Sequence, residues 1–210
     1  GAVCVIASKI VDINLPQKIN YILVKDTQKA LADIACFKRK KYNIPVIAIT
    51  GSAGKTTAKE MVAWVLSKKF KVLSNEGTKN NHIGLPLTLL KLNQSHDIAV
   101  LELGTNHFGE IKYLAKICQP NIALITNIGE SHLEYFNNLQ GVLKEKYTLV
   151  RYLKKPAIVI LNADDDLLKI KLAANLEKEV IFSFGINNKS DFQASDFKNL
   201  SGAVTFFINN

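Results

Sequence analysis

Gly51-Ser52-Ala53-Gly54-Lys55-Thr56-Thr57, preceded by the apolar run Val46-Ile47-Ala48-Ile49-Thr50, is the segment whose chemistry is plainest. Glycines after a β-branched run let backbone N–H groups turn toward one point, and a helix opening just beyond them adds its positive dipole end. That arrangement cradles a phosphate. Within it Lys55 would reach the β/γ-phosphates and the Thr56 hydroxyl would hold a magnesium ion; the bland alternative is a glycine-rich β-to-α turn that happens to carry a lysine. The common spacing G-x-x-x-x-G-K-[ST] would place its first glycine at position 49, where this chain has Ile49, so the loop is a shorter G-x-x-G-K-T form.

A magnesium nucleotide site needs a second hard oxygen ligand, usually a carboxylate at the C-terminal end of a neighbouring strand. Glu102 closes the apolar run Ile98-Ala99-Val100-Leu101. A carboxylate there is costly to bury without a cation; its bland alternative is an ordinary strand-end residue in solvent. Farther on, Ile122-Ala123-Leu124-Ile125-Thr126-Asn127 runs into a loop carrying His132, an imidazole able to complete a metal site or to serve only structure. Lys146, by spacing alone, is a solvated charge. The glycine-bounded loop Gly77 to Thr88 presents Asn80, Asn81 and His82, either to a polar substrate or as a self-capping turn leading into a helix.

The elements that must position these groups alternate along the chain. Short β-branched runs read as strands at Ala2 to Ala7, Tyr21 to Val24, Val46 to Thr50, Lys71 to Leu73, Ile98 to Leu103, Ile122 to Thr126, Ala157 to Leu161 and Val180 to Phe184. Amphipathic stretches read as helices at Thr27 to Lys40, Lys55 to Lys69, Gly109 to Cys118, Leu139 to Leu153 and Asp165 to Ala174. This alternation predicts an α/β fold with a P-loop-type, mostly parallel sheet flanked by helices. Asp191 to Asp196 and Ala203 to Ile208 read as a β-rich appendage, and Asn43-Ile44-Pro45 marks a domain junction.

The 210 residues are 48% hydrophobic and 21% charged, an ordinary globular composition. Their net charge of +9 suits an anionic partner. The densest basic cluster, Lys38-Arg39-Lys40-Lys41, has no aromatic run beside it and reads as a solvated helix end, so no nucleic-acid partner is expected. Cys4, Cys36 and Cys118 form no C-x-x-C pair, which argues against a zinc site or disulfide framework and fits a reducing cytoplasm. No apolar run is long enough for membrane insertion. The sole methionine is Met61, and the chain reads as a piece of something longer.

Taken together, four segments resemble the Mur ligases, the ATP-dependent amide-forming enzymes of peptidoglycan precursor synthesis. They are Ile49 to Thr57 with Lys59-Glu60, Asn80 to Thr88, Glu102 to His107 with Gly109-Glu110, and Thr126 to Gly129 leading to His132-Leu133-Glu134. Val24-Lys25-Asp26-Thr27 with Ala30-Leu31 is similar to the end of that family's N-terminal substrate domain. The resemblance implies residues 1–44 as the last part of the UDP-substrate domain and 45–210 as an incomplete central ATP-binding domain, with a C-terminal domain absent.

By the same resemblance, Gly51, Ser52, Ala53, Gly54, Lys55, Thr56, Thr57 and Asn127 bind ATP. Thr56 and Glu102 would hold one magnesium ion, and Glu102, His132 and a carbamylated Lys146 a second. Lys55, Glu102, His132 and Lys146 form the implied catalytic set, with Asn80, Asn81, His82, Asn106 and His107 on the substrate. The implied partners are UDP-N-acetylmuramoyl-tripeptide and D-alanyl-D-alanine, joined through an acyl phosphate by a cytoplasmic monomer. Thr78 stands where many relatives are expected to carry asparagine, and Ala53 occupies a variable position. The chain on its own is expected not to turn over. Two alternatives stay open: another Mur or folylpolyglutamate-type ligase, and a non-catalytic P-loop nucleotide-binding module.

Overall fold

β-Branched runs flanked by glycine, proline or polar residues become the strands of a largely buried sheet. A computed structural model describes residues 3–10, 20–173, 180–200 and 203–209. β1 (Cys4–Ala7) and β2 (Asn20–Leu23) pair in parallel as a separate two-stranded sheet. α1 (Thr27–Lys40) follows, its N-terminus capped by the Asp26 carboxylate, which accepts from the N–H groups of Gln28 and Lys29. Then come β3 (Val46–Thr50), α2 (Lys55–Ser67), β4 (Val72–Ser74), α3 (Gly84–Leu90), β5 (Ile98–Glu102), α4 (Glu110–Cys118) and β6 (Ile122–Ile125). The chain continues through α5 (Leu133–Phe136), α6 (Leu139–Tyr147), a 3-10 turn (Thr148–Tyr152), β7 (Ile158–Asn162), α7 (Asp166–Ala173), β8 (Val180–Gly185), β9 (Phe192–Leu200) and β10 (Ala203–Asn209).

The second sheet has the order β10-β9-β8-β7-β6-β3-β5-β4. Pairs from β4 to β9 are parallel; β10 alone runs antiparallel, beside β9. The expected mostly parallel sheet flanked by helices is therefore the observed one. β3 is buried along its whole length, as a strand covered on both faces must be. On one face Ala48, Ala99 and Leu101 pack with Leu85 and Leu89 of α3 and Leu114 of α4; on the other, Ile47, Ile49 and Val100 pack with Ala63 of α2.

Several sequence expectations change in detail. The helix expected over Leu139 to Leu153 is α6 plus a 3-10 turn, and Thr148 Oγ1 donates to the Lys144 carbonyl at the break, a back-bond that bends helices. The Gly77 to Thr88 stretch does run into a helix, α3, where Asn81 Oδ1 accepts from the N–H groups of Ile83 and Gly84. Ala2 and Ala174, included in an expected strand and helix, lie outside the described residues.

Arg39 corrects the reading of its cluster as a solvated helix end. It is buried and donates to the carbonyls of Cys118, Tyr42, Ile44 and Gln119, because a guanidinium's fan of donors can satisfy several chain ends at once. Ala32 and Ala35 of α1 also enter the core shared with α3 and α4. Packing thus joins residues on both sides of the junction expected near residue 44.

Candidate functional site

β3 lies between β5 and β6, and the chain leaves it toward β4 and β5 before crossing to β6 on its other side. Loops leaving β3, β5 and β6 therefore meet at the carboxyl edge where strand order reverses, the place where open α/β sheets bind ligands.

The loop after β3 owes its shape to two glycines and an asparagine. Gly51 has φ 153°, and a Cβ there would lie 1.9 Å from Thr126 Oγ1; Gly54 has φ 74° and stands as the N-cap of α2. Asn127 Oδ1, from the loop after β6, accepts from the N–H groups of Ser52 (3.1 Å) and Ala53 (2.8 Å). Ser52 Oγ donates to the Gly129 carbonyl and accepts from its N–H, both at 2.9 Å. Asn127 and Ser52 thus fasten the two loops together. No side chain caps α2, so the positive end of its dipole has no side-chain acceptor. Lys55 Nζ folds back on the carbonyls of Gly51 (2.9 Å) and Ser52 (3.3 Å). Thr57 is exposed on the first turn.

Thr56 Oγ1 donates to Glu102 Oε2 at 2.8 Å, and Asn80 Nδ2 donates to Glu102 Oε1 at 2.6 Å. Glu102 is only 1% exposed. Among the described residues no cationic side chain pairs with it, so a buried carboxylate is held by neutral donors alone. Such an anion is costly until a cation arrives, and two hard oxygens side by side fit a magnesium ion.

A polar cleft opens beside this corner, lined by Lys55, Asn80, Asn81, His82, Asn106 and His132, with Gly104, Thr105, Phe108, Gly109, Glu110, Tyr113 and Leu114 completing the wall. His132 is exposed, with φ 52°, and its ring stands edge-on to Phe136. His107 lies off the lining: its ring packs 4.0 Å from that of Tyr135 and its Nδ1 is 3.9 Å from Glu110 Oε1.

Lys146, which spacing alone reads as a solvated charge, is 2% exposed. Burial is the largest cause that pushes its amine down from 10.5 to about 8; the neighbouring Lys55 charge adds to the fall and Glu145 opposes it. Among the described residues no group of three or more His, Cys, Asp or Glu side chains is arranged to hold a metal.

Three buried supports escaped sequence reasoning. Asn75 bonds the backbone of Glu102 on both sides, Lys59 donates to the carbonyls of Asn75 (2.5 Å) and Gly77 (3.1 Å), and Glu145 accepts from the N–H groups of Gly109 and Ile111, both at 2.8 Å. Each bond joins residues at least sixteen positions apart, a closeness that no local pattern announces.

A glycine loop ahead of a helix, set at the switch point of a parallel sheet with a buried carboxylate beside it, defines a P-loop-type nucleotide-binding domain. Residues 49–210 match the Mur ligase middle domain, and the chain belongs to the Mur ligase family. It is 42% identical over 200 residues to the UDP-N-acetylmuramoyl-tripeptide--D-alanyl-D-alanine ligase of Haemophilus influenzae, covering 93% of this chain and 42% of the relative. The MurF structure from Acinetobacter baumannii superposes with a TM-score of 0.88 at 36% identity, over 99% of this chain and 44% of that one. MurF from Thermotoga maritima, solved with ADP, gives a TM-score of 0.87 at 29% identity, over 99% and 47%. The chain spans a little under half the length of these relatives.

Proposed function

We propose that this chain is the nucleotide half of an ATP-dependent amide ligase that joins D-alanyl-D-alanine to UDP-N-acetylmuramoyl-tripeptide through an acyl phosphate. The observation that carries the reading is the Thr56–Glu102–Asn80 corner beside the glycine loop, in a family whose similar members bear that activity in their names. Residues 1–44 would close the UDP-substrate domain and 45–210 would form the ATP-binding domain.

In this reading α2's first turn and Lys55 bind the ATP phosphates, Lys55 exchanging its loop carbonyls for phosphate oxygens. Thr56 and Glu102 would hold one magnesium ion, and Glu102, His132 and Lys146 a second; bound there, magnesium supplies charge neutralisation as the γ-phosphoryl group moves. The tripeptide carboxylate attacks the γ-phosphorus and ADP leaves; the dipeptide amine then attacks the acyl carbon, phosphate leaves with the C–O bond electrons, and the amine gives up a proton. Asn80, Asn81, His82 and Asn106 line the cleft where these substrates would meet.

Lys146 enters as a carbamate: its neutral amine adds to the carbon of carbon dioxide and one proton is released. An amine pushed down to about 8 is far more often neutral near pH 7 than an ordinary lysine, and the anionic product would add an oxygen ligand beside Glu102 and His132. The deciding experiment measures ATP hydrolysis by a protein of the relatives' full length, with each substrate alone and with both. Phosphate release that requires the UDP-tripeptide, and amide formation that requires both, is the expected result; hydrolysis indifferent to either would overturn it.

A further inference from the structure

The end of β5 has a gap in its hydrogen bonding that one side chain fills. The last rung between β4 and β5 joins Ser74 to Val100, so beyond it Glu102 has no strand partner on that side. Its other neighbour, β3, is served by Leu103, whose N–H donates to the Ile49 carbonyl. The outward N–H and C=O of Glu102 both go to Asn75: the N–H donates to Oδ1 at 2.9 Å, and Nδ2 donates to the carbonyl at 3.2 Å. An amide side chain thus replaces a rung of the sheet.

Asn75 is wholly buried, and its side-chain amide and its carbonyl make further bonds. Nδ2 donates to the Lys79 carbonyl, and the Asn75 carbonyl accepts from the wholly buried Lys59 amine. Lys59 also reaches the Gly77 carbonyl, so α2 fixes both ends of the turn that Asn75 begins. The same loop carries Asn80, which holds Glu102 by its carboxylate. Glu102 is therefore gripped at backbone and side chain by one loop, itself anchored to the helix that carries Thr56.

We propose that Asn75, seated by Lys59, is a positioning residue that sets the Glu102 carboxylate against Thr56 for a nucleotide-bound divalent cation. The inference rests on the reading of Glu102 as a metal ligand. An amide bonding both backbone groups of a ligand residue fixes its strand end in rotation and translation, and loss of such a support costs metal affinity more than nucleotide affinity.

The test titrates this chain with ADP, once with Mn2+ and once with EDTA, and takes the ratio of the two affinities. Asn75→Ala and Lys59→Met should each lower that ratio about tenfold, while metal-free ADP binds as in the parent. Asn75→Ser, whose single hydroxyl can serve only one of the two Glu102 groups, should fall between; it carries the test should Asn75→Ala not fold. An unchanged ratio in folded variants overturns the proposal. So does an equal loss with and without Mn2+, which would mark the residues as merely structural. A parent whose ADP affinity ignores Mn2+ would sink the metal role of Glu102 itself, and the proposal with it.

Discussion

Thr56 and Glu102, 46 residues apart in sequence, meet at 2.8 Å where the first turn of α2 faces the end of β5. The hydroxyl keeps a lone pair for a cation while its proton rests on the carboxylate. With Asn80 as the other donor, Glu102 is buried among neutral groups, an arrangement that is poor for a free protein and good for a metal complex.

Glu102→Gln should separate those two states. Without nucleotide, the variant removes a buried charge, so its urea unfolding free energy should equal or exceed the parent's by up to about 2 kcal/mol. With Mg2+ and ADP it should lose at least about tenfold in affinity, roughly 1.4 kcal/mol. Parent and variant are compared by urea titration and by calorimetry with the nucleotide. A variant less stable than the parent, yet binding Mg2+ with ADP normally, would contradict the assignment.

How far the sequence discloses this site depends on whether each contact is local. The phosphate loop is seven consecutive residues, and Glu102 ends an apolar run where burial has an obvious cost; both can be read in order along the chain. Lys146 and Arg39 cannot, because a lysine or arginine on a helix is solvated until a distant element covers it. Here the covering is long-range: Arg39 meets Cys118 and Gln119, 79 and 80 residues away. The parallel strands were legible through their β-branched runs, whereas the break between α6 and the 3-10 turn depends on one hydroxyl at Thr148. Resemblance placed His107 with the substrate group, but the structure sets it against Tyr135, outside the cleft lining.

Gly84→Ala should move the cleft wall without touching the phosphate loop. A Cβ at Gly84 would lie 2.6 Å from the backbone carbon of Lys79, and backbone cannot swing aside as a side-chain tip does. The 79–83 segment must retreat, taking Asn80 off Glu102, at a cost of about 1–3 kcal/mol in stability. Urea unfolding gives the cost. In an amide spectrum, resonances of Asn80, Asn81 and Glu102 should shift while those of Gly51 and Gly54 stay in place; the reverse pattern would refute the expectation.

Lys146→Met tests the buried amine through pH. The amine titrates near 10.5 when unfolded and at about 8 in the folded chain, so the unfolded state binds more protons between those values. Parent stability from this group must therefore rise with pH through that window. Below about pH 8 the full penalty stands, about 3 kcal/mol, because both states are protonated and the folded one holds its charge in a poor place. Methionine fills similar volume without the charge. In carbon-dioxide-free, metal-free buffer, Lys146→Met should thus exceed the parent by roughly 2–3 kcal/mol at pH 7, with the gap closing as pH approaches 10. Urea unfolding at a series of pH values checks this; a gap that is constant or widens with pH would mean that the amine is not held as a charge-averse buried group.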